Sequence, residues 1–172
     1  RTLLVTNDFP PRRGGIQTYL EGFIQELDPD QLVVYASSPP DGGAEAYDDE
    51  HPWRTYRYPG TMMLPLPSVR KEMQRIIRAE KNEAVWFGAS APLRIMANAA
   101  RAAGDAIHFV YHSVLHPQTE TMPHHWHKLR VEERIFASGL PFTILQPTVY
   151  MQNVAGSWPT IVNEGRYVTP YP

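Results

Sequence analysis

Gly14 and Gly15, directly after Arg12 and Arg13, sit in the segment NDFPPRRGGIQ between an apolar run and an amphipathic one. Paired glycines let the backbone approach a ligand closely and can adopt φ > 0. Amides at the start of a following helix form a ready anion site, to which two arginines add positive charge. Diphosphate is the natural ligand for such a place. A tight strand-to-helix turn whose glycines serve only packing is an equal alternative. A second concentration of chemistry is histidine: six of the seven lie between His108 and His127. His112 and His116 are four apart, and His124, His125 and His127 follow as a cluster. Zinc needs three or four converging ligands, each steadied by a further hydrogen bond. The 112/116 pair shares a face only within a helix, and its place at a strand end argues against one. Surface and loop-packing histidines, with no metal, are the favoured reading. Ser113 beside His112 is not a triad, because no G-x-S-x-G occurs and adjacency in sequence is not geometry.

These residues must be positioned by the elements around them. Leu3 to Thr6 (LLVT) reads as a buried strand ended by Asn7-Asp8 and a Pro-Pro pair. Ile16, Tyr19, Leu20, Phe23, Ile24 and Leu27 form one helical stripe, closed by Asp28-Pro29. Gln31 to Ala36 is a second strand, residues 37–52 a surface loop, and Arg54 to Tyr58 a third strand. Ser68 is the expected N-cap of a helix carrying Val69, Met73, Ile76 and Ile77 inward. Glu83 to Phe87 is a fourth strand. A helix from about Pro92 then places Leu93, Met96, Ala97, Ala100 and Ala103 on one face. Ile107 to Tyr111 is a fifth strand. Trp126, Leu129, Glu133 and Phe136 mark a helix ended by Gly139, and Phe142 to Leu145 is a sixth strand.

Strands alternating with amphipathic helices predict an α/β fold, a doubly wound Rossmann-like parallel sheet of about six strands. Right-handed crossovers favour the order 3-2-1-4-5-6 with helices on both faces. Residues 147–172 carry no expected element and read as a truncated C-terminal extension.

The chain has 172 residues, 16 basic and 18 acidic side chains, and no cysteine. That length predicts one domain. A net charge of −2 gives no electrostatic support to a nucleic-acid or membrane partner, and no basic stripe supports nucleic acid. No apolar run approaches the roughly 18 residues of a membrane span. The chain opens on Arg1 without a signal-peptide core, which reads as a trimmed or partial chain, and the absence of cysteine fits a reducing, cytoplasmic setting. Arg70, Lys71, Arg75, Arg78 and Lys81 form a basic helix face that could meet an anionic membrane peripherally, but a solvated surface is the favoured reading. Trp53, Tyr56 and Tyr58 could stack on a base or sugar, yet sheet packing is favoured.

The segments TLLVTNDFPPRRGGIQTYL and NEAVWFGASAPLRIMANAARAAG closely resemble the N-terminal lobe of GT-B family 4 glycosyltransferases, of the GDP-mannose-dependent phosphatidylinositol mannosyltransferase type. The resemblance runs from about residue 1 to 105. It implies an acceptor-binding lobe whose glycine loop, here Gly14 and Gly15, faces the diphosphate of a GDP-sugar. The family's second Rossmann lobe with its E-x7-E motif is absent, and the expected His-Gly-His-Glu reads Tyr111-His112-Ser113-Val114-Leu115-His116. By position His112 is the catalytic candidate the resemblance offers, with neighbours that do not match. Sugar transfer needs both lobes for proximity and charge stabilisation.

From about Ile107 the segment FVYHSVLHPQTETMPHHWHKLRVEERIFASGLPFTILQPTVYMQN strongly resembles NmrA-like proteins, atypical short-chain dehydrogenase/reductase relatives that bind NAD(P). The resemblance implies Ser113 at the fifth strand's end, Lys128 as the helix lysine toward the cofactor ribose, and Gln146-Pro147-Thr148 as the loop near the nicotinamide. The Tyr-x-x-x-Lys of active dehydrogenases reads His124-His125-Trp126-His127-Lys128, so the proton-donating tyrosine is missing. The Gly-x-x-Gly-x-x-Gly fingerprint is also missing from residues 1–30, and no acidic residue is well placed after the second strand.

The change near Asp105-Ala106 falls between a helix and the next strand, so the two segments complete one sheet. The expectation is a chimeric domain over 1–146, built from a glycosyltransferase-like half (1–105) and an NmrA-like half (107–146). It would have at most a weak phosphate or nucleotide site, formed by Gly14, Gly15, Arg12 and Arg13, then Ser113 and Lys128, without a complete active site. The alternatives are a mannosyltransferase acceptor lobe needing a donor lobe, and an NAD(P)-binding sensor or reductase. Of the two enzymes, hexosyl transfer ranks ahead of NAD(P)-linked reduction. The sequence carries no signal for oligomeric state.

Overall fold

The computed structural model describes residues 1–88, 107–119, 121–148 and 151–167. The helix expected from Pro92, with Leu93, Met96, Ala97, Ala100 and Ala103, and the junction at Asp105-Ala106 lie outside the described residues. Six strands form one sheet: β1 (Thr2–Thr6), β2 (Leu32–Ser37), β3 (Arg54–Tyr58), β4 (Ala84–Phe87), β5 (His108–His112) and β6 (Phe142–Leu145). Their order is β3-β2-β1-β4-β5-β6, and every pairing is parallel. This is the expected Rossmann-like topology, with its switch point between β1 and β4.

The apolar runs of β1, β2 and β4 are long enough to be buried on both faces, as a parallel sheet requires. On one face Leu4, Leu32, Val34 and Trp86 pack under α1 (Gly15–Ile24), which contributes Leu20 and Ile24. Of the expected stripe, Leu27 lies beyond the end of α1 at Ile24, and Phe23 is partly exposed with its ring against Trp86. On the other face Leu3, Val5, Val33, Val85, Phe87, Phe109 and Tyr111 meet α3 (Pro67–Glu80) and α4 (Pro123–Phe136). The inward residues of α3 are those expected: Val69, Met73, Ile76 and Ile77 are all buried. Each contributes roughly 1.5–3 kcal/mol of apolar burial. Trp53 is buried, and Tyr56 and Tyr58 pack against the core.

Several local expectations are corrected. Residues 37–52 are not all loop: Gly42 (φ 78°) and Gly43 (φ 80°) turn the chain left-handed into α2 (Ala44–Asp49). No apolar stripe announces α2; it is held by tertiary contacts, Tyr47 lying edge-on to Phe9 and Asp48 pairing with Arg57. Ser68 is not the N-cap of α3; Leu66 holds that position and Pro67 opens the helix, its fixed φ suiting the first helical residue. α4 forms where Trp126, Leu129, Glu133 and Phe136 mark a helix, but these four are not its buried residues. Glu132 and Ile135 are buried instead, while Phe136 is exposed. The tail is not devoid of elements: α5 (Met151–Gly156) lies beside α1, and α6 (Trp158–Glu164) ends at Gly165 in the left-handed region. Both helices are short and α6 buries nothing, so no periodicity marked them.

At the opposite end of the sheet from the loops, buried Glu80 gathers three donors: Arg1 Nη1 at 2.7 Å, Arg54 Nη1 at 2.8 Å and Tyr56 Oη at 2.5 Å. The hydrogen bonds from Tyr56 and Arg54 hold its carboxyl below the ordinary range. A depressed carboxylate contributes stability that is full above the unfolded value of about 4.3 and lost as pH falls toward the folded one. Replacing Glu80 by Gln is expected to cost about 1.5–3 kcal/mol at neutral pH. The gap in melting temperature between wild type and Glu80→Gln should shrink as pH drops from 6 to 3. A gap that stays constant over that range would contradict this account of the network.

Candidate functional site

The C-terminal ends of the strands carry the polar residues, as in other open α/β sheets. The loop from Asn7 to Gly14 joins β1 to α1 across this crest. Gly14 is the N-cap of α1 and is extended (φ 160°), so it does not use the left-handed freedom that a glycine pair offers. No side chain caps α1, and its first turn holds no acid. The first-turn amides therefore face the crest without a side-chain acceptor, at the positive end of the helix dipole. Gln17 Nε2 donates to Asp8 Oδ1 at 3.3 Å, folding the first turn back over the strand end.

Gly88, at the end of β4, has a role that spacing did not announce. A Cβ there would stand 2.7 Å from Thr6 Oγ1 and 2.9 Å from Thr6 Cβ, so only glycine lets the ends of β1 and β4 approach. Thr6 Oγ1 in turn accepts from the Asp8 amide at 3.0 Å, which starts the loop's turn. The signal was the strand-terminal FG of VWFG, which reads equally well as an ordinary strand end.

The four expected phosphate residues do not act alike. Gly14 and Gly15 sit at the start of α1, and Arg13 is exposed beside them. Arg12 turns the other way: its Nη2 donates to the carbonyls of Ser38, at 3.0 Å, and Thr61. The loop is pinned at three further points. Asn7 Oδ1 accepts from the Met63 amide at 2.7 Å, Ser37 Oγ donates to the Asn7 carbonyl at 3.0 Å, and Arg57 Nη2 donates to the Pro10 carbonyl at 2.8 Å. Arg57 is itself fixed by two bonds to the Asp48 carboxylate, at 2.9 and 2.7 Å.

On the far side of the crest, Ser113 follows β5 with its amide bonded to the Leu145 carbonyl at 2.7 Å. Its buried hydroxyl has no hydrogen-bond partner among the described residues. Lys128 reaches from α4 to donate to the His112 carbonyl at 2.9 Å, its ammonium 5.0 Å from the centre of the Tyr111 ring. Burial lowers the Lys128 pKa to about 8, against the opposing pull of Asp8 and Glu132. Glu132 is buried and accepts from Gln146 Nε2 with both oxygens at 3.0 Å. Lys128, Glu132 and Gln146 thus form a polar seam under β5 and β6. His112 lies on the opposite face, its ring buried edge-on to Tyr19 with centroids 5.2 Å apart. Burial, and secondarily the Lys128 charge, lowers its pKa to about 4. It is a neutral, packed side chain at physiological pH. Among the described residues, no three histidine or acidic side chains converge to hold a metal ion. No helix among them is long and apolar enough to cross a membrane.

The Lys128 environment is testable through stability. Between the folded value of about 8 and the unfolded value of about 10.4, the unfolded chain binds more protons, so stability rises with pH there. The melting temperature of wild type relative to Lys128→Met should climb from pH 8 to 10. A flat difference would show that Lys128 is not held in a depressed state.

Residues 93–172 match the model of the NmrA-like family. A GDP-mannose-dependent monoacylated α-(1-6)-phosphatidylinositol monomannoside mannosyltransferase of Corynebacterium glutamicum is 49% identical over 104 residues, 60% of this chain and 27% of that protein. The corresponding α-(1-6)-phosphatidylinositol monomannoside enzyme of Mycolicibacterium smegmatis is 53% identical over 106 residues, 59% of this chain and 27% of that protein. Among solved structures, an NADPH-dependent quinone oxidoreductase from Escherichia coli superposes with TM-score 0.59 and 20% identity, covering 95% of this chain and 53% of that one. The Citrobacter sp. triphenylmethane reductase complexed with NADP(H) gives TM-score 0.62 and 14% identity, covering 93% and 55%. At those identities the structures speak for the fold alone. The chain spans about a quarter of the length of the curated relatives and about half of the solved chains it matches. It joins a segment homologous to GDP-mannose-dependent phosphatidylinositol monomannoside mannosyltransferases with a segment matching the NmrA-like family, on one Rossmann-like sheet.

Proposed function

We propose that residues 1–146 form one composite domain that binds the phosphate of a small nucleotide or sugar ligand at the start of α1, and that it carries no complete reaction centre of its own. The observation that carries this reading is the start of α1: Gly14 leaves the first-turn amides without a side-chain acceptor among the described residues, beside the close approach of β1 and β4 that Gly88 permits. Arg13 is exposed next to it, and the Ser113 hydroxyl, without a partner among the described residues, stands at the end of β5. Lys128, from the other face of the sheet, brings a cation to the end of β5, where it also feels the charge of Asp8. Against turnover stands His112, withdrawn beneath Tyr19 rather than presented to a substrate.

Inorganic pyrophosphate tests this directly. Binding on the order of 1 mM, about 4 kcal/mol, is expected, with backbone amide shifts centred on Gly15, Ile16 and Gln17. Arg13→Ala should weaken it about two- to fivefold, the worth of one exposed charge at a helix start. Shifts located elsewhere, or none at millimolar ligand, would refute the site.

A second reading is favoured by the identity of about 50% to the mannosyltransferases. In it the domain is the acceptor-side lobe of a mannosyl transfer from GDP-mannose. Transfer should then appear only when a separate donor lobe is added. Its absence under that condition would leave the phosphate site as the domain's own activity.

A further inference from the structure

The fold and the NADP(H)-binding neighbours raise the question of whether a nicotinamide dinucleotide fits this crest. In a dinucleotide-binding Rossmann domain the pyrophosphate sits at the first helix. The adenosine ribose is read by a side chain at the end of β2, an acid for a free 2′-hydroxyl or a nearby arginine for a 2′-phosphate. Here that end is already occupied by the protein's own loop. Ser37 Oγ donates to the Asn7 carbonyl, and the Ser37 carbonyl accepts from Arg57 Nη1 at 3.2 Å. The Ser38 amide donates to the Tyr58 and Gly60 carbonyls, each at 3.1 Å, and its hydroxyl to the Tyr58 carbonyl at 2.7 Å. The Ser38 carbonyl accepts from Arg12. Every one of these groups is committed. The nearest carboxylate downstream, Asp41, is exposed on the turn beyond Pro39.

The loop also fills the space above. Phe9 is fully buried against the α1 face of the sheet, with the Arg57 guanidinium 5.3 Å from its ring centre, and Pro10 is buried beside it. Arg12, a cation beside the end of β2, spends its Nη2 on two backbone carbonyls, and its buried Nε has no partner among the described residues. Moving the loop aside would leave the Arg57 guanidinium, itself mostly buried, without the Pro10 carbonyl and the Phe9 ring. A buried donor left without its acceptor carries the full cost of its lost hydration.

We infer that the Asn7–Gly14 loop, stapled by Arg12 and Arg57, is a specificity element that closes the crest of β2 and β3 to a ribose. It confines a phosphate ligand to the crest of β1, β4 and β5. This rests on the phosphate site proposed above and narrows its ligand class: a pyrophosphate or a sugar phosphate is accepted, and the adenosine half of NADH or NADPH gains nothing.

Calorimetric titration of the whole chain with inorganic pyrophosphate, NADH and NADPH decides it, alongside amide chemical shifts. The expected result is that both dinucleotides bind less than tenfold more tightly than pyrophosphate. Gly15 and Ile16 should shift in all three titrations, while Arg12, Ser37 and Ser38 stay in place. Either dinucleotide binding tenfold or more tightly than pyrophosphate, with Ser38 and Arg12 shifting, would overturn the inference and leave the phosphate site standing. Failure of pyrophosphate itself to bind would overturn the phosphate site, and the inference with it. Arg57→Gln adds an independent arm, read against its own melting curve. Releasing the loop should raise the NADPH-to-pyrophosphate affinity ratio by threefold or more, and an unchanged ratio in a folded variant would contradict the staple.

Discussion

The parallel ladder between β4 and β5 is the interaction on which the molecule depends. Ala84 to Phe87 pair in register with His108 to Tyr111. That ladder joins a strand outside the NmrA-like match to the first strand inside it. Beneath it Phe87 and Phe109 stack with centroids 4.7 Å apart, and Val85, Tyr111 and Ile135 continue the same core. Without this contact β5, β6 and α4 would have no sheet to extend. Their own outer edge is poor: Phe142 and Leu145 are each 36% exposed, and Phe136 meets Phe142 on the surface rather than in a core. The apolar burial that stabilises the C-terminal segment therefore comes almost wholly from its inner side.

The crest inherits an asymmetry from that construction. Toward β2 and β3 the loop after β1 is tied down by side chains and carbonyls from four places in the chain: Ser37 and Ser38, Asp48 through Arg57, and the Thr61 and Met63 backbone. Toward β5 the tie is weaker in number but more charged, Lys128 holding the end of β5 while Glu132 holds Gln146 after β6. One side is a sealed, hydrogen-bonded lid over the strand ends. The other keeps a buried hydroxyl at Ser113 and a cation of depressed pKa close to it in the chain's fold. The start of α1 lies between these two regimes.

Much of this was legible from residue types. The six strands, their order, and the inward face of α3 follow from apolar runs and period, because burial on both faces leaves a strong signal. What escaped were features whose stabilising contacts are polar or distant. The helix α4 was legible, but its buried positions include Glu132, a charged residue that no apolar pattern singles out, while Phe136 is exposed. The helix α2 rests on the Asp48–Arg57 pair and on Tyr47 against Phe9, neither visible locally. Arg12 and Arg13 look equivalent in sequence, yet the carbonyls of Ser38 and Thr61 turn one of them away from the helix start. Gly88 carries no motif, and only the approach of Thr6 shows why it must be glycine.

Native-state amide exchange across the sheet bears most directly on whether segments matching two families act as a single folding unit. Phe87, Phe109 and Tyr111 should open with the same free energy as Leu4 and Val34, since exchange through global unfolding is the signature of one cooperative core. Exchange of Phe109, Tyr111 and Ile144 through a lower-energy opening that leaves β1, β2 and β4 protected would contradict it, showing that the later strands merely lean against a domain complete without them.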